Sequence, residues 1–202
     1  GHTPRLNDEG YSYSGCLTFI VAHDSGLIEV NLDGKRFNDE TSFEDNYNKK
    51  LVQKQPKMIS VFVFDSASMQ TESGQTYLAP MVDTVMGAGC DSVQQANTLE
   101  ELAKACGLPA DTLISTIEDY NEHVDSGEVD EFGRSIFPAK IETPPYYAAI
   151  TNINLGISKG GAKIDTNAQV IDTKGNPIPG LYAAGEMAFA QLHGDARTHI
   201  VG

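Results

Sequence analysis

Residues 177–202 read Pro-Ile-Pro-Gly-Leu-Tyr-Ala-Ala-Gly-Glu-Met-Ala-Phe-Ala-Gln-Leu-His-Gly-Asp-Ala-Arg-Thr-His-Ile-Val-Gly, and the rest of the chain is best read outward from them. Pro177, Pro179 and Gly180 predict a turn, and the apolar run Leu181–Ala184 predicts a short strand. The strand ends in Gly185-Glu186. A glycine there lets backbone come close to a ligand, because it has no Cβ. A carboxylate beside it can accept hydrogen bonds from ribose hydroxyls. By itself the pair equally describes a strand followed by a turn. Seven residues beyond Glu186 stands His193-Gly194-Asp195-Ala196-Arg197. A guanidinium fork suits a carboxylate or a carbonyl-derived oxyanion, and the small residues before it leave room for a flat ligand. Taken alone, Arg197 also reads as a surface arginine in a loop.

Upstream, the pattern alternates between strand and helix signals. Cys16–Ala22 and Leu27–Asn31 are predicted strands, the second followed by a turn at residues 32–35. Residues 42–55 place Phe43, Tyr47 and Leu51 on one helical face, and Pro56 ends the run. Ile59–Phe64 is a continuous apolar run suited to a buried strand. Gly87-Ala88-Gly89 punctuates a weakly patterned stretch. Thr98 and Glu101 form a capping box for a helix whose apolar face is Leu99, Leu102, Ala103 and Cys106, with Gly107 as its stop. Asp111 is expected to cap a second helix carrying Leu113, Ile114, Ile117, Tyr120 and Val124 inward, ending before Gly127. The short loop between the two helices implies an antiparallel pair. Pro138, Pro144 and Pro145 enforce extended backbone before a strand at 146–150. Ala162–Asp165 and Gln169–Asp172 flank a hairpin turn at Thr166-Asn167, and a further turn lies at 174–176. The fold class expected is α+β.

The 202 residues carry a formal net charge of −14, with 40% hydrophobic and 21% charged residues. Such a balance suits a globular domain or two, and it disfavours phosphate backbones and anionic lipid as partners. No apolar run approaches a membrane span. Cys16, Cys90 and Cys106 have no metal-ligand spacing, so no metal site is expected. His23 precedes Asp24-Ser25, but no nucleophile elbow accompanies it, so a Ser-His-Asp hydrolase is set aside. His123 is expected to be solvated. Localisation is left open between cytoplasm and periplasm.

Several stretches, in order, resemble one family. Pro179-Gly180-Leu181-Tyr182-Ala183-Ala184-Gly185-Glu186 followed by His193-Gly194 and Arg197 is similar to the flavin-binding signature of fumarate reductase/succinate dehydrogenase-type flavoproteins. That family includes urocanate and other enoate reductases and 3-ketosteroid dehydrogenases. Val30-Asn31 with Gly34, Arg36-Phe37 and Glu40 looks like its Val-Asn-x-x-Gly-x-Arg-Phe-x-Asn-Glu stretch. Tyr120-Asn121 with Phe132-Gly133-Arg134, Pro144 to Ala148, and Gly160-Gly161 to Asp165 look like further family segments.

The resemblance implies FAD as cofactor, with residues 1–26 a linking piece of the FAD domain, 27–150 a capping, substrate-binding domain, and 151–202 a return segment of the FAD domain. It implies that Gly185, Glu186 and Gly202 meet FAD, and that Arg197, with His193, binds the substrate's carboxylate or carbonyl and serves catalysis. The Gly-x-Gly-x-x-Gly that binds pyrophosphate is absent from these residues, so the chain is expected to be part of a larger flavoenzyme. By itself it is expected to be inactive and to bind FAD weakly or not at all; its partners would be the remainder of its own FAD domain and a small alkene substrate. Three departures matter. The family's acid Arg position is Glu44; no His precedes the Gly-Gly hairpin in Leu155–Lys159; and Thr198-His199-Ile200-Val201 replaces the usual residues after the Arg. These argue against fumarate itself and leave the proton donor open among Tyr146, Tyr147, Tyr182 and Lys159. The alternatives are a flavin-free binding module built on the capping fold, and a 3-ketosteroid dehydrogenase.

Overall fold

The computed structural model describes residues 20–42, 52–152 and 161–188. The chain divides into two compact units, one up to Ile153 and one from Asn154.

The first unit is built on a four-stranded antiparallel sheet: β1 (Leu27–Val30), β2 (Ile59–Asp65), β3 (Val93–Ala96) and β4 (Tyr146–Asn152), in the order β1-β2-β4-β3. Leu27 lies opposite Phe64, and Val61 opposite Ile150. Every residue of β2 is buried, which explains its unbroken apolar run: both faces of the sheet are covered. On one face Ile28, Val30, Val61, Val63, Ala148 and Ile150 meet helices α2 (Leu99–Cys106) and α3 (Ala110–Ser126) through Leu102, Leu113, Ile117 and Tyr120. On the other, Leu27, Phe62, Phe64, Tyr147 and Ala149 meet α1 (Ala79–Gly87) through Val82 and Val85. At the end of β2 the buried Asp65 carboxylate accepts the amides of Ser68, Glu142 and Thr143, tying the strand to the segment that enters β4.

The second unit contains the hairpin β5 (Gln169–Ile171) and β6 (Pro177–Tyr182). Asp165 and Asp172 accept amides two and four residues ahead and shape its two turns.

Several expectations change. Ile20-Val21 ends a helical turn and Ala22 starts a turn, so the described part of Cys16–Ala22 is not strand. Pro177–Gly180 belongs to β6 rather than to a turn; each strand of a two-stranded ribbon has an unpaired edge that tolerates proline. The second helix starts at Ala110 behind Pro109 with no side-chain cap, so Asp111 lies in the first turn. α1 and β3 carried no clear periodic signal. His123 is half-buried and stacks on Phe137, with Nδ1 3.0 Å from the Glu128 carbonyl oxygen. The Thr98 hydroxyl accepts from the Glu101 amide, and Gly107 closes α2 in the left-handed region. Of the helix expected over 42–55, residues 43–51 lie outside the described ones, while 52–54 are helical.

Candidate functional site

Two places hold the residues to which the sequence points. The first lies in the second unit. β6 leads through Ala183, whose amide donates to the Ala168 carbonyl, into a single helical turn over Gly185–Ala188. Gly185 adopts φ 60° and has open space where a Cβ would stand, so its backbone is accessible to a ligand. A side chain there would be strained and would fill that space. The turn is held from behind: the Ala162 amide donates to the Met187 carbonyl at 2.7 Å, and a Cβ on Gly161 would overlap that same carbonyl. This arrangement fits the close backbone approach that a flat dinucleotide requires. Glu186 follows within the turn. His193, Arg197 and Gly202 lie outside the described residues, as do Glu44, Leu155–Lys159 and Thr198–Val201.

Of the four candidate proton donors, Tyr147 is buried in the core and stacked on Phe64 at 5.5 Å. Burial pushes its hydroxyl pKa up, and that of the half-buried Tyr146 likewise. Tyr182 is exposed on β6, and Lys159 lies outside the described residues.

The second place is a buried charge network in the first unit. The Glu40 carboxylate accepts from Arg36 Nε at 2.9 Å and Nη2 at 2.7 Å, from Arg134 Nη1 at 2.8 Å, and from the Glu29 amide at 2.9 Å. Arg36 Nη1 also donates to Asp130 at 2.8 Å. Asp130 in turn accepts the amides of Phe132 and Arg134. Tyr120 and Phe137 lie against the Arg134 guanidinium, and Tyr120 and Phe132 against that of Arg36. Burial alone would raise the Glu40 pKa, but the charges and hydrogen bonds of the two arginines hold it below the ordinary carboxylate value. Burial likewise opposes the Arg36 charge, and Glu40 and Asp130 outweigh it. Burial pushes Tyr120 up to about 12.

Beside the network, Glu29 is buried on the α1-side face of the sheet. Its carboxylate accepts from Asn38 Nδ2 at 2.6 Å and bonds Ser60, and among the described residues no cation pairs with it. Burial therefore dominates and raises its pKa to about 7. The sequence marks Arg36, Glu40 and Arg134 only as parts of family stretches. Their convergence across almost a hundred residues carried no local signal beyond the i, i+4 spacing of Arg36 and Glu40. No group of His, Cys, Asp and Glu able to hold a metal ion occurs among the described residues. Cys106 is buried, and burial raises its thiol to about 12, consistent with a packing role.

Comparison with known proteins sets these features in a family. The model of the FAD binding domain matches residues 11–198. NADH:acrylate oxidoreductase of Vibrio harveyi is 35% identical over 184 residues, covering 91% of this chain and 18% of that protein. The open conformation of a flavocytochrome c3 fumarate reductase superposes with a TM-score of 0.70 at 30% identity, over 89% of this chain and 30% of that one. The 3-ketosteroid Δ1-dehydrogenase of Sterolibacterium denitrificans follows at TM-score 0.62 and 26% identity, covering 85% and 34%. The chain belongs to the FAD-dependent, fumarate reductase-type flavoprotein family, whose cofactor is FAD. It spans between 18% and 43% of the length of the first curated relatives it matches.

Proposed function

We propose that this chain supplies the capping domain and part of the FAD domain of an oxidoreductase that moves a hydride between flavin and an activated C=C bond. The match of the FAD binding domain across residues 11–198 carries this reading. Residues 27–150 form the cap, while residues 1–26 and 151–202 belong to the FAD domain. FAD, when bound, supplies the hydride donor or acceptor; binding, orientation and protonation fall to the protein. Gly185 admits the cofactor to backbone distance. Glu186 accepts from its ribitol or ribose hydroxyls, and the chain near Gly202 borders the flavin ring. Arg197, with His193, grips the electron-withdrawing carboxylate or carbonyl and polarises the alkene.

Glu44 at the family's acid Arg position, and the lack of a His in Leu155–Lys159, remove two cationic contacts. The substrate is accordingly less charged than a dicarboxylate: a short unsaturated acid, as the acrylate relative's name suggests, or a vinyl aromatic, as in a vinyl phenol reductase. With Tyr147 committed to the core, Tyr146, Tyr182 and Lys159 stand as proton donors. The likeness to the ketosteroid dehydrogenase favours a second reading, oxidation of a steroid ring.

One assay separates them. The full-length, FAD-loaded protein is given reduced viologen with acrylate or 4-vinylphenol, or an oxidising dye with a 3-ketosteroid. Alkene reduction is expected, with Arg197→Met lowering kcat/KM about 100-fold or more. Steroid oxidation alone would select the second reading. Stoichiometric FAD with neither turnover overturns both. The 202-residue chain by itself is expected to show no stoichiometric flavin absorbance, and tightly held FAD would sink that part.

A further inference from the structure

Arg134 is fully buried, yet every one of its donors is used. Nε donates to the Ile136 carbonyl at 2.8 Å. Nη1 donates to the Leu27 carbonyl at 3.0 Å and to Glu40 at 2.8 Å. Nη2 donates to the Ala22 carbonyl and to the Tyr120 hydroxyl, each at 3.4 Å. Five N–H groups meet five acceptors on four separate stretches of chain.

Two of those stretches are irregular segments that flank β1. The turn over residues 20–26 precedes β1, and the loop over residues 36–42 follows it. Neither takes part in the main sheet ladder, apart from the single bridge of Arg36 to Val30. Arg134 and Glu40 bind them to each other instead. Glu40 grips the start of the loop and the Glu29 amide, while Arg134 grips the turn at Ala22 and the first residue of β1 at Leu27. A second set of bonds holds the turn from its far side: the Asp24 carboxylate takes the hydroxyl and amide of Ser73, and Ser25 Oγ donates to the Ser68 carbonyl. The exposed His23 stands on this turn, and the loop runs on in sequence to Glu44.

A buried ion pair is seldom worth more to stability than apolar residues of its size, because desolvation cancels the attraction. What such a network supplies is one arrangement of the segments it joins. We propose that Arg134 is a positioning residue: with Glu40 it fixes the turn at residues 20–26 against the loop at residues 36–42, and turnover depends on that fixed geometry. The dependence on turnover rests on the enzyme reading given above.

The test compares the full-length, FAD-loaded protein with Arg134→Lys and with the double variant Arg134→Met/Glu40→Leu. Both variants are expected to bind FAD stoichiometrically. The double variant should melt within about 5 °C of the parent. Its kcat should fall about 10- to 100-fold while KM changes far less, because a misplacement near 1 Å suffices for that loss. Arg134→Lys, which keeps the charge and part of the donor set, should recover some of the rate. A purely structural role predicts lowered melting with kcat per bound FAD unchanged, and that result overturns the proposal. If the double variant does not fold, Tyr120→Phe, which removes one acceptor of Arg134, joins Arg134→Lys; unchanged kcat in both is then the overturning result. If the parent enzyme shows no turnover, the functional reading fails separately. Hydrogen exchange then reads the clamp: Arg134→Lys should accelerate exchange at residues 22–27 and 36–42 but leave β2 and β4 unchanged. Unaltered exchange in the two segments overturns the clamp itself.

Discussion

Glu29 occupies a strand position whose neighbours on the same face of the sheet are Leu27 and Phe62, so an apolar residue would be expected there. It is a carboxyl with two polar partners, Asn38 and Ser60, and no cationic partner among the described residues, and burial, which penalises the charge, raises its pKa to about 7. The sign of the consequence is fixed. The folded state holds this proton more tightly than the unfolded chain, whose value is 4.5. The folded state therefore loses stability as pH climbs from about 4.5 to 7, and the penalty is constant above that. A shift of this size corresponds to roughly 3 kcal/mol at most. Glu29→Gln keeps the acceptor for Asn38 and removes the charge. It is expected to raise the melting temperature at pH 8 and to change little at pH 4.5, as thermal melts at the two pH values would show. Equal effects at both pH values would contradict the assignment. Nothing in the sequence announced this residue, since a single acid in a strand of Leu, Ile and Val reads as an outward-facing position.

Among the elements, legibility follows the chemistry of the ends. α2 was readable because Thr98, Glu101 and Gly107 mark both of its termini, and α3 because its apolar positions recur at helical spacing. α1 was not, since Pro80 near its start and Gly87-Ala88-Gly89 at its end read as breakers, and its apolar face is short. β6 was misread because Pro177 and Pro179 signal a turn unless the strand is known to lie in a two-stranded ribbon. Two glycines give contrasting predictions. Gly107 caps α2 at φ 70° with open space around it, so Gly107→Ala pays only backbone strain, about 1 kcal/mol. Gly74 sits in the helical turns that lead into α1, and a Cβ there would overlap the Ser68 carbonyl oxygen, which is backbone and cannot swing aside. Gly74→Ala is expected to cost about 3 kcal/mol or more. Urea titrations of the two variants should order them in this way; a mild Gly74→Ala would mean that the turn at 68–74 is freely deformable.

At the scale of the whole molecule, the family and its cofactor were legible because their motifs are contiguous: Gly185-Glu186 is a chemical statement made by adjacent residues. The charge network was not, because Arg36, Glu40, Asp130 and Arg134 acquire their meaning only when the fold brings the loop after β1 to the loop after α3. That network also gives the first unit a distinctive response to pH. Burial raises the Asp24 and Glu40 carboxyls, but hydrogen bonds from Ser73, Ser25 and Thr71 for the first, and the two arginines for the second, bring both below their ordinary values. A depressed carboxyl adds stability above its unfolded pKa of 3.8 or 4.5 and withdraws it as pH falls through the folded value. Glu29 acts in the opposite sense between about 4.5 and 7. Stability of the first unit should therefore peak near pH 4.5–5, fall steeply on the acid side and decline gently toward neutrality. Melting temperatures recorded from pH 3 to 9 would trace this profile. Asp24→Asn, which retains the shape but gives up the carboxylate's bonds to Ser73, should lower the curve above pH 4 and leave its acid end in place. Glu29→Gln should remove only the decline toward neutrality. A parent curve that rises steadily to pH 8 would mean that the acidic surface, with its charge of −14, contributes less repulsion and Glu29 less penalty than their burial and number imply.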